Sequence, residues 1–433
     1  MSKEQRFAQY AATGTFEGTY RAGGRPSLDF AHALAGEVSP ELVAKAALWC
    51  RGNARMVDMP ALLVAHLASR DTDVMSRVFA RVIDDGRMLR SFVQVVRSGV
   101  TGRRSFGSAP KRALRSWFAS RSPEVIFRQS FGQSPSMSDV IKMVRPPPRN
   151  DKGEADAVRE ALYGYLIGKS VNVENLPRLT RAFVAWKHGE GPLPDVPFEM
   201  LTCLPLRAEH WKELAKKMPI QELRQKLETL LHYGVFDDAD VVESVATRLQ
   251  DPDTIRRTNA LPFPLLAALH HVSAEMPAAV VRALGRAVDH AIDNLPEIPG
   301  DVAVHVDASG SMQAPFRGQL RCAHVADFVA AAVRRKSGPT SDVARTDVVI
   351  VVSDDQSSTL ASDVAALAPG ARLVRVDLRP RALGLGQVGD DHALCIEGFS
   401  DSVFDVIASF ARGELSGADW LSRIDAVDLH ATN

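Results

Sequence analysis

The chain is poor in the residues that would commit it to a membrane, an oxidising compartment or redox chemistry. Only four cysteines occur in 433 residues, at 50, 203, 322 and 395. None has the close spacing of a metal or disulfide-exchange motif, so reduced thiols and a cytoplasmic location are expected. No apolar run approaches the roughly 18 residues that would span a bilayer. The first ten residues, MSKEQRFAQY, have no apolar core of the secretory type. Aromatic residues make up 6% of the chain, so a nucleic-acid surface built mainly from stacked rings is not expected. Net charge is zero, which removes any argument from overall charge.

A more informative shortage is local. Residues 87–149 contain two acidic side chains against 13 basic ones, whereas residues 1–86 carry 10 of each. Residues 150–295 and 296–433 are mildly acidic, with 17 basic against 21 acidic and 12 against 19. A net +11 packed into 63 residues exceeds what solvation of a surface requires. It points to a polyanionic partner.

Length favours more than one domain. From about 38 to 295 the pattern is helical. SPELVAKAALWCRG has a Ser-Pro start, and DMPALLVAHLAS has an early Asp and Pro. TDVMSRVFARVIDDG spaces Val74, Val78 and Val82 by four, with Gly86 expected to end that helix. Successive helices with short polar turns predict a mainly α architecture, an irregular solenoid of HEAT-like helical pairs. At NLPEIPG the pattern changes. DVAVHV, TDVVIVVSDD, ARLVRVDLRP and HALCIEG are short β-branched runs separated by helical segments, one of them expected from about 317 to 336. Such runs predict a parallel sheet covered on both faces. Two domains are therefore expected, 1–295 helical and 296–433 α/β of the Rossmann-like kind.

The α/β region carries a compact motif, DASGSM. In open parallel sheets ligands sit at the carboxyl ends of the strands. Asp307 follows one strand directly and Asp354 follows another, while Ser309 and Ser311 add neutral oxygens. Two carboxylates and two hydroxyls form a hard-oxygen set suited to a divalent cation, Mg²⁺ by its donor chemistry. The competing explanation is that Asp307 and Ser309 only cap the next helix.

Within the basic block, Arg103 and Arg104 lie in a Gly-rich turn, and Lys111, Arg112 and Arg115 lie on a helix. Arg128 lies in a following loop; Lys142 and Arg145 belong to a Ser-started helix stopped by three prolines. Basic groups on helix ends and loops with a rigid frame behind them suit phosphate contacts and predict an RNA-binding surface. A solvated basic face is the plainer alternative. Trp117 and Phe118 are expected in the core, not as stacking platforms.

The chain resembles the Ro autoantigen family, whose members join a TROVE module to a von Willebrand factor A-like domain. The resemblance rests on GTYRAGG (18–24), ALWCRGNARMVDMPALLVAHLA (47–68), KRALRSWF (111–118), PSMSDVIKMVRPPP (135–148), VPFEMLTCLPL (196–206) and RRTNALPFPLLAA (256–268). DASGSM and GFSDSVF (398–404) extend it to the C-terminal domain. It implies a ring of helical pairs closed by the A-type domain, with single-stranded ends of misfolded RNA in a basic hole and structured Y RNA outside. It also implies a metal-ion-dependent adhesion site at Asp307, Ser309, Ser311 and Asp354. The family's threonine has only Thr340 as a counterpart, and the short segment between Ser311 and Asp354 implies a trimmed sheet and metal binding that is weak or absent. Family basic positions correspond to Arg128, Gly132 and Arg145, so one charge is lost.

The function expected is non-enzymatic binding of noncoding RNA in RNA quality control or processing. The expected partners are noncoding RNA, single-stranded RNA ends and an exoribonuclease or other RNA-processing protein, with no membrane. The alternative is a metal-dependent protein-adhesion scaffold, which has no need of +11 in one block. A metal-dependent hydrolase is disfavoured, because no nucleophile–base pair accompanies the carboxylates.

Overall fold

The computed structural model describes residues 2–14, 19–21, 28–54, 56–102, 104–132, 134–150, 152–338, 346–354, 370–379, 393–415 and 417–430. Arg103 and Thr340 lie outside the described residues. The chain is mainly helical up to Ile292 and then enters an α/β arrangement. No helix among the described residues is long and apolar enough to cross a membrane.

Two compact units form. One comprises residues 1–12, 26–205 and 417–433; the other comprises 13–25 and 206–416. Neither coincides with the stretches 1–295 and 296–433, although the change from helix to strand does fall where the composition changes. The difference arises from three pieces. A short N-terminal segment supplies a strand to the α/β unit, helices 208–292 group with that unit, and the last helix groups with the N-terminal helices.

In the first unit the helices start where local chemistry dictates. Ser39 accepts from the Leu42 amide at 3.3 Å, and Asp71 accepts from the Asp73 and Val74 amides at 3.1 and 3.0 Å. Each such cap contributes about 1 kcal/mol. Gly86 does not end helix Thr72–Val82. It begins helix Gly86–Ser98, capped by Asp85 through the Met88 amide at 2.7 Å. A Cβ at Gly86 would lie 2.7 Å from the Gln129 carbonyl oxygen, so glycine allows another segment close approach. Trp117 and Phe118 are buried, as expected. Helix Gly417–Asp425 returns to pack on Pro40–Gly52, with Trp420 edge-on to Trp49 and Lys45 Nζ 2.6 Å from Asp425 Oδ1.

The second unit contains strands β1 (Thr19–Arg21), β2 (Val302–Val306), β3 (Pro315–Arg317), β4 (Leu320–Arg321), β5 (Val348–Ser353), β6 (Arg372–Asp377) and β7 (Ala393–Glu397). Five form a parallel sheet in the order β1-β7-β6-β5-β2. All six residues of β5 are buried, which explains its unbroken β-branched run. Among the described residues β2 is an edge strand, as a trimmed sheet requires. The helix expected from about 317 begins at Cys322 instead. Before it, β3 and β4 form a small antiparallel hairpin turned through Gly318 at φ +58°.

Candidate functional site

The basic block is organised around one short helix, Met137–Val144. Ser136 and Asp139 form a reciprocal cap: the Asp139 amide donates to Ser136 Oγ at 3.1 Å, and the Ser136 amide donates to Asp139 Oδ2 at 2.9 Å. The Ser136 hydroxyl, which donates to Asp139 Oδ2 at 2.7 Å, and then the Ser136 amide hold the Asp139 carboxyl below its usual range. At the other end Arg145 is the cap residue, in the left-handed region at φ 50°, ψ 63°. Pro146 disfavours a right-handed helical turn there. A non-glycine residue in this conformation carries some strain, which functional sites commonly retain.

Other arginines reach the same last turn. Arg115 Nε donates to the Val144 carbonyl at 3.1 Å, and Arg97 Nη1 approaches Met143 Sδ at 3.1 Å. Three arginines from three elements thus meet at one helix C-terminus, where the partial negative charge of the carbonyls favours cations. Each is exposed at the surface and keeps most of its guanidinium donors without a partner among the described residues. Arg104, Lys111, Arg112, Lys142 and Arg145 make no side-chain hydrogen bond or ion pair among the described residues. Arg104, Arg112, Lys142 and Arg145 are exposed, and Lys111 is partly exposed. Arg128 differs: its guanidinium pairs with the exposed Asp195 carboxylate.

Arg97 was absent from the residues expected to bind. Its signal was present, because it stands in the last turn of a helix within the acid-poor block. Conversely, Arg121 is engaged structurally. It lies 4.1 Å over the Trp117 ring and donates to the Trp117 and Asp84 carbonyls. Arg159, 3% exposed, ties the Phe118 and Arg121 carbonyls to Asp156.

In the second unit the four residues of the oxygen set do come together. Ser311 Oγ donates to Asp354 Oδ1 at 2.9 Å, Ser309 and Ser311 hydroxyls are 2.8 Å apart, and the Ser309 amide donates to Asp307 Oδ1 at 2.8 Å. The parallel pairing of Val306 with Val352 places both carboxylates at the same edge of the sheet. Asp307 and Asp354 are 7% and 3% exposed. Asp354 Oδ2 is buried with no hydrogen-bond partner, an expensive state for a carboxylate oxygen unless a proton or cation meets it. The donor set therefore fits a small hard cation. It is limited to two carboxylates and two hydroxyls, since no group of three or more His, Cys, Asp or Glu suited to a metal occurs among the described residues. Burial, then the neighbouring Asp354, pushes the Cys322 thiol up.

Asp401, in GFSDSVF, has a packing role. Its Oδ1 accepts the Phe263 amide at 2.9 Å and so caps helix Pro262–Leu269; burial raises the carboxyl to about 6. His270 stacks on His324 at 4.2 Å and 18°. The ring-to-ring geometry gives no shared chelation, and burial lowers His270 below its usual value.

No family model and no curated protein matches the chain. Its fold is similar to that of the crystal structure of the Ro (RSR) protein of Deinococcus radiodurans. The two share 18% sequence identity with a TM-score of 0.70, over 95% of this chain and all of the other. At that identity the match shows a common fold, a mainly helical chain with a C-terminal α/β arrangement.

Proposed function

We propose that the chain binds RNA, noncoding transcripts and their single-stranded ends, as a non-enzymatic protein of RNA quality control or processing. The observation that carries this is the meeting of Arg97, Arg115 and Arg145 at the C-terminus of helix Met137–Val144. Lys111, Arg112 and Lys142 stand unpaired nearby in sequence on the same small group of helices. Cations on a rigid frame with free donors suit phosphates. The Ro fold supports the same reading, and an exoribonuclease or other processing protein is the class of partner that would use such capture.

Binding of a uridine oligonucleotide should then weaken with salt by about 0.7 log units per log unit of salt for each phosphate contact. Replacing Arg115, Lys142 and Arg145 together by alanine should flatten that slope by about 2, with the thermal transition retained. A folded triple variant with the parental slope would place the RNA elsewhere.

A second reading has its own observation, the unpartnered oxygen of Asp354. Asp307, Ser309, Ser311 and Asp354 would hold Mg²⁺, and the bound ion would neutralise two carboxylates and offer an open position to an acidic protein partner. On this reading the α/β unit is an adhesion module. It is compatible with RNA binding elsewhere in the chain.

A further inference from the structure

Among the described residues Arg90 is the most deeply placed cation of the basic block, at 8% exposure, and no acidic side chain there lies in hydrogen-bond range of it. Its Nη1 donates to the Gln129 carbonyl at 3.0 Å, which leaves Nε and Nη2 without partners among the described residues. Neither of these atoms is a sealed, unsatisfied donor, so both retain access to solvent. The same guanidinium fills the place where a side chain at 132 would be. A Cβ on Gly132 would lie 2.8 Å from Arg90 Nη2 and 3.2 Å from its Cζ, and Gly132 has φ +100°, which L side chains rarely adopt. Arg90 Cζ also lies 6.0 Å from the centre of the Phe131 ring, which is only partly buried. Arg128 is one residue before Gln129, so one short stretch gathers two arginines, a bare glycine and an aromatic ring.

Structure alone needs less than this. A helix-to-loop tie through Gln129 uses one of five donors, and a hydrophobic side chain in its place would avoid the desolvation of a buried cation. A guanidinium held rigid, with two donors open beside a glycine, is pre-organised for an anion that must come close to backbone. The ring beside it adds a surface on which a base can stack. We infer that Arg90, Phe131 and Gly132 form a single-nucleotide subsite, with the phosphate on the remaining donors of Arg90 beside Gly132 and the base on Phe131. This deepens the proposed RNA binding and rests on it.

The test uses the full chain and a uridine oligonucleotide. Arg90→Gln should lower the salt slope by about 0.7, whereas Arg90→Lys, which keeps one charge, should keep the slope and lose part of the affinity. Gly132→Ala should displace the guanidinium and weaken binding to the level of Arg90→Gln, and the double variant should be no weaker than either single one. Phe131→Leu should weaken binding by about 5- to 100-fold. In Phe131→Trp the emission added over the parental protein should be quenched by RNA. Melting curves separate a folding defect from a binding defect; if Arg90→Gln does not fold, the tryptophan variant and Arg90→Lys still decide. A parental slope in folded Arg90→Gln, or unquenched added emission while RNA is bound, overturns the subsite but leaves RNA binding standing. A parental protein that binds no RNA overturns the proposed function itself.

Discussion

Two buried titratable side chains give the protein opposite responses to acid. Asp401 is raised to about 6 by burial, above the roughly 3.9 of an unfolded chain. The folded state therefore prefers the protonated form, and stability is lost as pH rises from about 4 through 6. His66 runs the other way. Burial, with His32 and Arg70 adding to it, lowers it to about 4, so the folded state excludes a proton that the unfolded chain takes up. Its contribution is present above about 6.5 and lost as pH falls toward 4. Relative to Asp401→Asn, the parental protein should lose about 2–3 kcal/mol between pH 4 and pH 7, measured as paired urea transitions. Relative to His66→Leu, it should lose stability in the opposite direction. His66 Nδ1 lies 3.0 Å from His32 Nδ1, so the substitution also removes a hydrogen bond, and only the pH dependence tests the assignment.

Helix ends carry much of the chemistry at the next scale. Helix Met137–Val144 is only eight residues long, and its reciprocal cap supplies bonds that so short a helix cannot find internally. Ser136→Ala should cost about 1 kcal/mol and, by fraying the frame behind Arg145 and Arg115, lower RNA affinity more than stability suggests. A urea transition and an oligonucleotide titration on the same preparation would check both. Gly86→Ala should be more damaging, by about 1–3 kcal/mol, because its methyl group would press on the Gln129 carbonyl and side chain. The same variant should disturb the Arg90 contact, which uses that carbonyl.

At the scale of the whole chain, each compact unit depends on a piece from a distant part of the sequence. Trp420 is 7% exposed and edge-on to Trp49, and Arg81 donates to the Asp428 carbonyl. Trp420→Ala should cost about 3–5 kcal/mol in the unit that contains the N-terminal helices. Hydrogen exchange should show the loss in helix Pro40–Gly52 before the sheet. In the other unit, millimolar Mg²⁺ should raise the melting temperature slightly by mass action. Asp307→Ala should abolish that rise with little change in RNA affinity. An RNA affinity that vanishes in EDTA would join the two sites that the proposed function keeps separate.

The sequence alone was enough for what short-range physics controls. Helix periodicity, the Ser39 and Ser136 starts, the apolar run of β5 and the gathering of Asp307, Ser309, Ser311 and Asp354 were all legible, because each depends on spacing within one element or on strand tips of a parallel sheet. The buried positions of Trp117 and Phe118 were legible for the same reason. Only the tertiary structure decided which charges of the acid-poor block are presented. Arg90 and Arg121 look like any other arginine in sequence, yet carbonyl contacts hold Arg121 in the frame and fix Arg90 by one donor with two left over, while Arg97 and Arg115 are brought to the end of a helix they do not belong to. Arg128 meets Asp195 across 67 residues. The strand at Thr19–Arg21 likewise acquires its identity from β7, nearly four hundred residues away. Three residues cannot bury enough surface to specify a strand alone, and a charge carries no mark of its surroundings until packing supplies them.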